Sequence, residues 1–454
     1  MKSSFALCSD DTLSHHCIGN LEEACNISTD HHVAGLAALD GSLEACLEDA
    51  LHDALELCID FFKAPVVTDG VLAHLKTGGS NAACVGSLAR SVEQACCVDS
   101  LDCLEGQRHV CTFKYCECTV CDNSLCTFKV HLVLSLPVKL SDIEAASERL
   151  HPYVKHTPLL RSEALDEVLG CEVYFKPECL QLTGSFKIRG ASNKILTMTD
   201  EEKEKGIIAS SSGNHALGVA YAAKMLGIKA TLVLPTNAPQ VKVDNAKKLG
   251  AEVIQHGFGS IERYKKLYEI VDEKHYSVVH SFNDPMLIAG QGTVGYEIMQ
   301  DLKDVDTVVV PLGGGGVLAG VATAVKSINP KCRVIGAEPE RIPRYSESRK
   351  QGKPVTVELK DTLADGLMIT TTGTNTYPLI EEYVDEIVPV PEYAIAKALN
   401  YIVYKAKVVV EPSAAIGVAA LISGGFKVKP GEKVCFVLTG GNIDPKKLID
   451  LTEC

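Results

Sequence analysis

The sequence has no apolar run approaching the roughly 18 to 20 residues a membrane-spanning helix needs, which argues against a membrane partner. Its opening, MKSSFALCSDDTLSHHC, turns acidic too early for a secretory or transit peptide, so the expected location is the cytoplasm. A basic surplus is missing too: 44 Lys and Arg stand against 58 Asp and Glu. Such a chain has no excess of cations to release counterions from DNA or RNA, and nucleic acid is discounted as a partner. Cysteine thins out after Cys126. Fourteen of the 19 lie between Cys8 and Cys126 and five follow, so the cysteine signal belongs to one segment and excludes a disulfide scaffold for the whole chain.

What is present is enough for two or three globular domains: 454 residues, 46% hydrophobic and 22% charged. Composition breaks near VLSLPVKL, 133–140, and the boundary is expected near Leu136. Residues 1–135 hold 19 acidic and 7 basic side chains, leaving 39 against 37 for residues 136–454. The first segment is an acidic, cysteine-rich extension of unknown fold. In it, 42–62 places Leu43, Cys46, Leu47, Leu51, Leu55, Cys58 and Ile59 on one stripe, predicting a helix. The tetrapeptide CTFK occurs at 111 and again at 126. Cys111, Cys116, Cys118, Cys121 and Cys126 are candidate ligands for zinc or an iron–sulfur cluster in a metal- or redox-sensing module, against a dispensable interaction segment; the one CxxC, at 118–121, lacks a matching pair.

The second segment alternates strand-like and helix-like runs. GIIASSSGNHALGVAYAAKMLGIKATLVLP predicts a strand ending at Ala209, a turn, a helix and a strand near 229–234, a βαβ unit. DTVVVPLGGGGVLAGVATAVKSINPKCRVIGAEP repeats that grammar. Repeated βαβ units imply parallel sheets with ligands at the carboxyl ends of their strands.

Four turns carry candidate chemistry. In TGSFKIRGA, 183–191, Lys187 lies between Phe186 and Ile188. A lone lysine is usually a solvated charge, but here its surroundings can desolvate the amine and ready it to form an imine with an aldehyde. In SSSGNHALG, the hydroxyls of Ser211 and Ser212, the Asn214 amide and free N–H groups at a helix start can hold a carboxylate; alone, the turn reads as an ordinary N-cap. Gly313, Gly314, Gly315 and Gly316 form a run expected by chance in roughly 1% of chains at about 7% glycine usage. After a strand and before a helix, they let N–H groups converge on a phosphate. The run lacks the GK[ST] ending of a P-loop and the GxGxxG spacing of a dinucleotide fold. LTGGNID, 438–444, delivers Thr439 to a further Gly-Gly turn.

Together, TGSFKIRGA, SSGNHA, GQGT at 290–293, the glycine run with VLAG, TLADG at 362–366, VVEPSAA and TGGNID resemble, in order and spacing, the fold-type II pyridoxal-phosphate enzymes, in their threonine dehydratase (threonine ammonia-lyase) and serine racemase branch. The resemblance spans about 136–454. It implies an α/β, tryptophan-synthase-β-like core of two doubly wound parallel-sheet domains, the smaller at roughly 208–285 inserted in the larger. It implies pyridoxal 5'-phosphate as cofactor, bound through Lys187 as an imine, with Phe186 near the ring, Asn214 at the 3'-hydroxyl, Gly313 to Gly316 and Val317 around the phosphate, Thr439 at the ring nitrogen and Gly366 by the other face. Ser211, Ser212, Gly213, Asn214 and His215 would receive the substrate carboxylate, and a homodimer or homotetramer is expected.

The sequence departs from the pattern in places. Leu217 stands where dehydratases usually have Gln, and Thr439 where Ser or Cys is common. Animal-type serine racemases place a Glu and, six residues later, an Asp on a divalent metal; here Glu338 is followed by Arg344, so no metal is expected. The chain stops at Cys454, ten residues after Asp444, and isoleucine control through a C-terminal domain is not expected. The expected reaction is β-elimination of a small hydroxy-amino acid, L-threonine to 2-oxobutanoate and ammonia or serine to pyruvate, with Lys187 as base. Racemisation is the alternative, with Ser212 supplying a second acid. A non-enzymatic cofactor carrier or amino-acid sensor would retain these turns without using them.

Overall fold

The run TVVVP at Thr307–Pro311 is buried at every position, the condition of a strand covered on both faces. It belongs to a computed structural model that describes residues 71–75, 111–121, 125–134, 136–211 and 213–452. The chain divides into two units, Met1–Ser135 and Leu136–Cys454.

In the first unit, β1 (Val71–Leu75), β2 (Cys111–Cys121) and β3 (Leu125–Leu134) form an antiparallel sheet in the order β1-β3-β2, with an irregular register between Phe113 and Cys116. One CTFK copy falls on β2 and the other on β3. The helix expected over 42–62 lies outside the described residues, as do the side chains of Cys111, Cys116, Cys118, Cys121 and Cys126.

The second unit adds β4 (Leu160–Arg161), β5 (Glu172–Pro177), β6 (Ile207–Ser210), β7 (Ala230–Leu234), β8 (Glu252–Gln255), β9 (Ser277–Val278), β10 (Thr307–Pro311), β11 (Arg333–Pro339), β12 (Glu386–Val390) and β13 (Lys433–Leu438). They form two sheets. The larger runs β12-β11-β10-β13-β5-β4, parallel except for β4 against β5; the smaller runs β8-β7-β6-β9, parallel throughout. The chain lays down β4 and β5, leaves to build the smaller sheet, and returns at β10. Strand β6 extends to Ser210, one residue beyond the predicted end, and β7 starts at Ala230.

Strand periodicity explains the layering. Val308 and Val310 enter one hydrophobic core and Val309 the opposite one; Ile207 and Ala209 likewise separate from Ile208 in the smaller sheet. Successive side chains alternate between faces, so continuous Val/Ile runs belong to sheets covered on both sides. Among the described residues no helix is long and apolar enough to cross a membrane.

Six helices position the candidate site: α1 (Lys187–Leu196), α2 (Asn214–Leu226), α3 (Pro285–Asp301), α4 (Gly316–Ile328), α5 (Arg344–Gln351) and α6 (Pro412–Ile422). Helices α1 and α3 meet backbone to backbone. A Cβ added at Gly190 would lie 2.7 Å from the Leu287 carbonyl oxygen, and one at Gly290 would lie 2.8 Å from the Arg189 carbonyl oxygen. Gly190 of TGSFKIRGA and Gly290 of GQGT thus serve helix packing. Beside this contact, the buried Arg189 guanidinium bonds Glu178 through Nε at 2.7 Å and Glu297 through Nη1 at 2.6 Å. Lys176 Nζ meets Glu297 at 2.5 Å, so two cations and two carboxylates balance in a desolvated cluster.

Candidate active site

Lys187 opens α1, and its Nζ donates to the Ser281 carbonyl at 2.7 Å while lying 5.1 Å from the Phe186 ring centroid. Burial removes water from the ammonium and lowers its pKa to about 8, an effect opposed by the Glu411 carboxylate. The turn before it is fastened to the turn after β13: the Phe186 N–H donates to the Thr439 carbonyl at 3.1 Å, and Ser185 forms an antiparallel bridge with Gly440. TGSFK and TGGN are therefore one structure, and the Thr439 hydroxyl has no hydrogen-bond partner among the described residues.

The glycine run links β10 to α4 and is buried. Its carbonyls are occupied. Arg344 donates to Gly313 through Nε at 2.9 Å and Nη2 at 2.6 Å, and Nη2 also reaches the Leu312 carbonyl. The hydroxyls of Tyr345 and Thr376 each lie 3.0 Å from the Gly314 carbonyl, and the Gly315 carbonyl accepts from Ala319 N–H at 2.8 Å. Among the described residues, no acceptor meets the N–H groups of Gly313, Gly314, Gly315, Gly316 or Val317. Gly315 has φ +93°, a left-handed conformation, and a Cβ there would run into the Tyr345 hydroxyl. Gly366 lies against the same turn, its carbonyl oxygen 3.7 Å from where a Cβ of Gly313 would sit.

Helix α2 begins at Asn214, with Gly213 before it and the Gly213 N–H donating to Ser211 Oγ at 3.2 Å. Ser212 lies outside the described residues. The His215 ring is buried and its Nε2 is 2.9 Å from the Val279 carbonyl; burial first, then the Lys187 charge, lowers its pKa to about 3, so it is neutral, and its Nδ1 is buried without a partner among the described residues. Its backbone N–H, with those of Asn214 and Ala216, has no acceptor among the described residues. The site therefore combines a buried amine with two groups of N–H donors that meet no acceptor among the described residues, each able to take an anion.

Residues 150–440 match the family model for pyridoxal-phosphate dependent enzymes. The chain belongs to this family. It is 48% identical over 307 residues to an L-threonine ammonia-lyase of Thermotoga maritima, covering 68% of this chain and 76% of the relative. It is 41% identical over 309 residues to a serine racemase of rice, Oryza sativa, covering 67% and 91%. The solved structure of maize serine racemase superposes with a TM-score of 0.67 at 39% identity, covering 69% of this chain and 96% of that one. This pyridoxal-phosphate enzyme has the α/β fold of type II with parallel sheets and uses pyridoxal phosphate.

The residues present suit that cofactor: a lysine of depressed basicity for its aldehyde, and an N–H-lined turn for its phosphate. Glu411, quoted in VVEPSAA without a role, proves central. Asn214 Nδ2 donates to both of its carboxylate oxygens, at 2.8 and 3.1 Å, and burial raises its pKa to about 7. A Glu whose partner lies 197 residues away has no local sequence signal. Arg344 was legible only as the residue that breaks a metal pair. Glu338 in fact accepts from the N–H groups of Tyr345 at 3.1 Å and Ser346 at 2.8 Å, with Arg344 Nη1 3.9 Å away. Among the described residues, no group of three His, Cys, Asp or Glu side chains could hold a metal.

Proposed function

We propose that this enzyme is an L-threonine/L-serine dehydratase, converting threonine to 2-oxobutanoate and ammonia, and serine to pyruvate and ammonia, by β-elimination. The observation that carries the reading is the buried Lys187 amine together with two separate sets of N–H groups that meet no acceptor among the described residues. The similarity to an L-threonine ammonia-lyase supports it.

When bound, the cofactor supplies an electron-withdrawing ring that accepts the electrons of the broken α-C–H bond. Lys187 holds it and, once displaced by the substrate's amino group, takes the α-proton on Nζ; a pKa near 8 keeps part of the amine unprotonated near neutral pH. The N–H groups of Asn214, His215 and Ala216 receive the substrate carboxylate, and those of Gly313 to Val317 the phosphate. Phe186 lines the ring, Asn214 serves the 3'-oxygen and Gly366 leaves room beside it. Thr439 offers the ring nitrogen a hydroxyl instead of a carboxylate, leaving a weaker electron sink. That suits elimination, because the departing β-hydroxyl carries the electrons away. The released enamine hydrolyses to the 2-oxo acid.

Similarity to serine racemases favours a second reading, in which Ser212 returns a proton to the opposite face. Incubation with L-threonine and L-serine, followed by 2-oxo acid assay and chiral analysis, separates the two. Formation of 2-oxobutanoate, lost in Lys187→Ala, is expected; D-serine with little 2-oxo acid would overturn the dehydratase reading.

A further inference from the structure

A trans peptide unit sets its C=O and the following N–H in opposite directions. The partner that captures a carbonyl in the glycine turn therefore decides where the next N–H points. Arg344 captures the carbonyls of Leu312 and Gly313, so it fixes the N–H groups of Gly313 and Gly314. The Tyr345 and Thr376 hydroxyls do the same for Gly315 through the Gly314 carbonyl. The guanidinium is fully buried, and Nη1 is held by the Ile342 carbonyl at 2.9 Å with Glu338 3.9 Å away. A planar fork so held reaches two neighbouring carbonyls at once, which a single ammonium cannot do equally well. Its charge at the carbonyl end of these peptide dipoles also raises the positive potential at their N–H end, where an anion would sit.

We propose that Arg344 is the positioning residue of the phosphate grip: acting through the carbonyls of Leu312 and Gly313, it aims the turn's N–H groups at the cofactor phosphate and gives the enzyme its preference for phosphorylated over unphosphorylated pyridoxal. It rests on the reading of Gly313 to Val317 as the phosphate site, and does not depend on whether the reaction is elimination or racemisation.

The test compares binding of pyridoxal phosphate and of pyridoxal to full-length protein stripped of cofactor, followed by the long-wave imine absorbance at Lys187 without turnover. Arg344→Met is expected to weaken pyridoxal phosphate roughly ten- to hundredfold and leave pyridoxal within about twofold. Arg344→Lys should restore part of the difference. Should Arg344→Met not fold, Arg344→Lys carries the test through its own ratio of the two affinities and the ³¹P resonance of the bound cofactor, which is expected to move from its wild-type position. Equal weakening of both ligands, or an unchanged ratio and resonance, would overturn the role of Arg344. A wild-type protein that binds pyridoxal as tightly as pyridoxal phosphate would instead overturn the phosphate site itself, and the proposal with it.

Discussion

Asn214 and Glu411, 197 residues apart in sequence, are joined by the Asn214 amide, which donates to both carboxylate oxygens while its own Oδ1 accepts from Asn442 at 2.8 Å. The amide's orientation is thereby fixed at both ends. Protonating Glu411 converts one acceptor to a donor, so the arrangement loosens as pH falls below about 7. Glu411→Gln should lower kcat about tenfold or more and flatten the acidic limb of the pH–rate profile. Stability runs the opposite way. Burial raises this carboxyl above its ordinary 4.5, so its contribution is fully present below that value and is lost as pH rises to about 7. Urea midpoints of wild type and Glu411→Gln, measured below and above that window, should differ by this slope; parallel curves would refute it.

Lys187 should titrate in the cofactor-free protein with a midpoint of about 8, well under an ordinary lysine, because its ammonium is desolvated. The second-order rate of imine formation with pyridoxal phosphate is expected to rise with pH and level off above that midpoint. A rate still climbing through the ordinary lysine range would show that the amine is hydrated.

Gly290→Ala places a methyl group against the Arg189 carbonyl and Gly190 Cα, each 2.8 Å from the new carbon. Neither contact is the end of a flexible side chain, so α1 and α3 must separate. A loss of about 1–3 kcal/mol in unfolding free energy is expected from urea melts, with lower cofactor affinity because α1 carries Lys187.

Arg189→Met leaves Glu178 and Glu297 buried with less compensation and should cost about 3–5 kcal/mol. The Glu297 pKa is lowered by Arg189, then Lys176, against burial. Its stabilisation is accordingly present above the ordinary carboxylate value and lost as pH falls through the lower folded one. The variant should show a smaller acid-side loss than wild type in pH-dependent melts.

Short-range pattern carried much of the architecture. IIAS, the Ser/Asn turn and ATLVL were legible as β6, the start of α2 and β7 because apolar runs and turn residues act locally. The glycine run stood out for the same reason, lying between β10 and α4. What could not be read was partnership across the chain. Nothing around Glu411 announces Asn214, and nothing in IPRYSES announces that Arg344 turns back to Leu312 and Gly313. The CTFK copies drew attention as a cysteine pattern, whereas their backbone places them on neighbouring antiparallel strands. Nor does SSGNHA announce that the His215 ring turns to the Val279 carbonyl, a contact set by tertiary packing.

Because the donors in the Gly313–Val317 turn are main-chain amides, no side-chain replacement short of proline can delete them. Any other sequence change can alter this grip only by crowding the turn with a β-carbon or by disturbing the groups behind it. Mutational sensitivity for anion affinity should then concentrate on residues that never touch the anion, and a survey of phosphate-contacting side chains would overlook the positions that govern it.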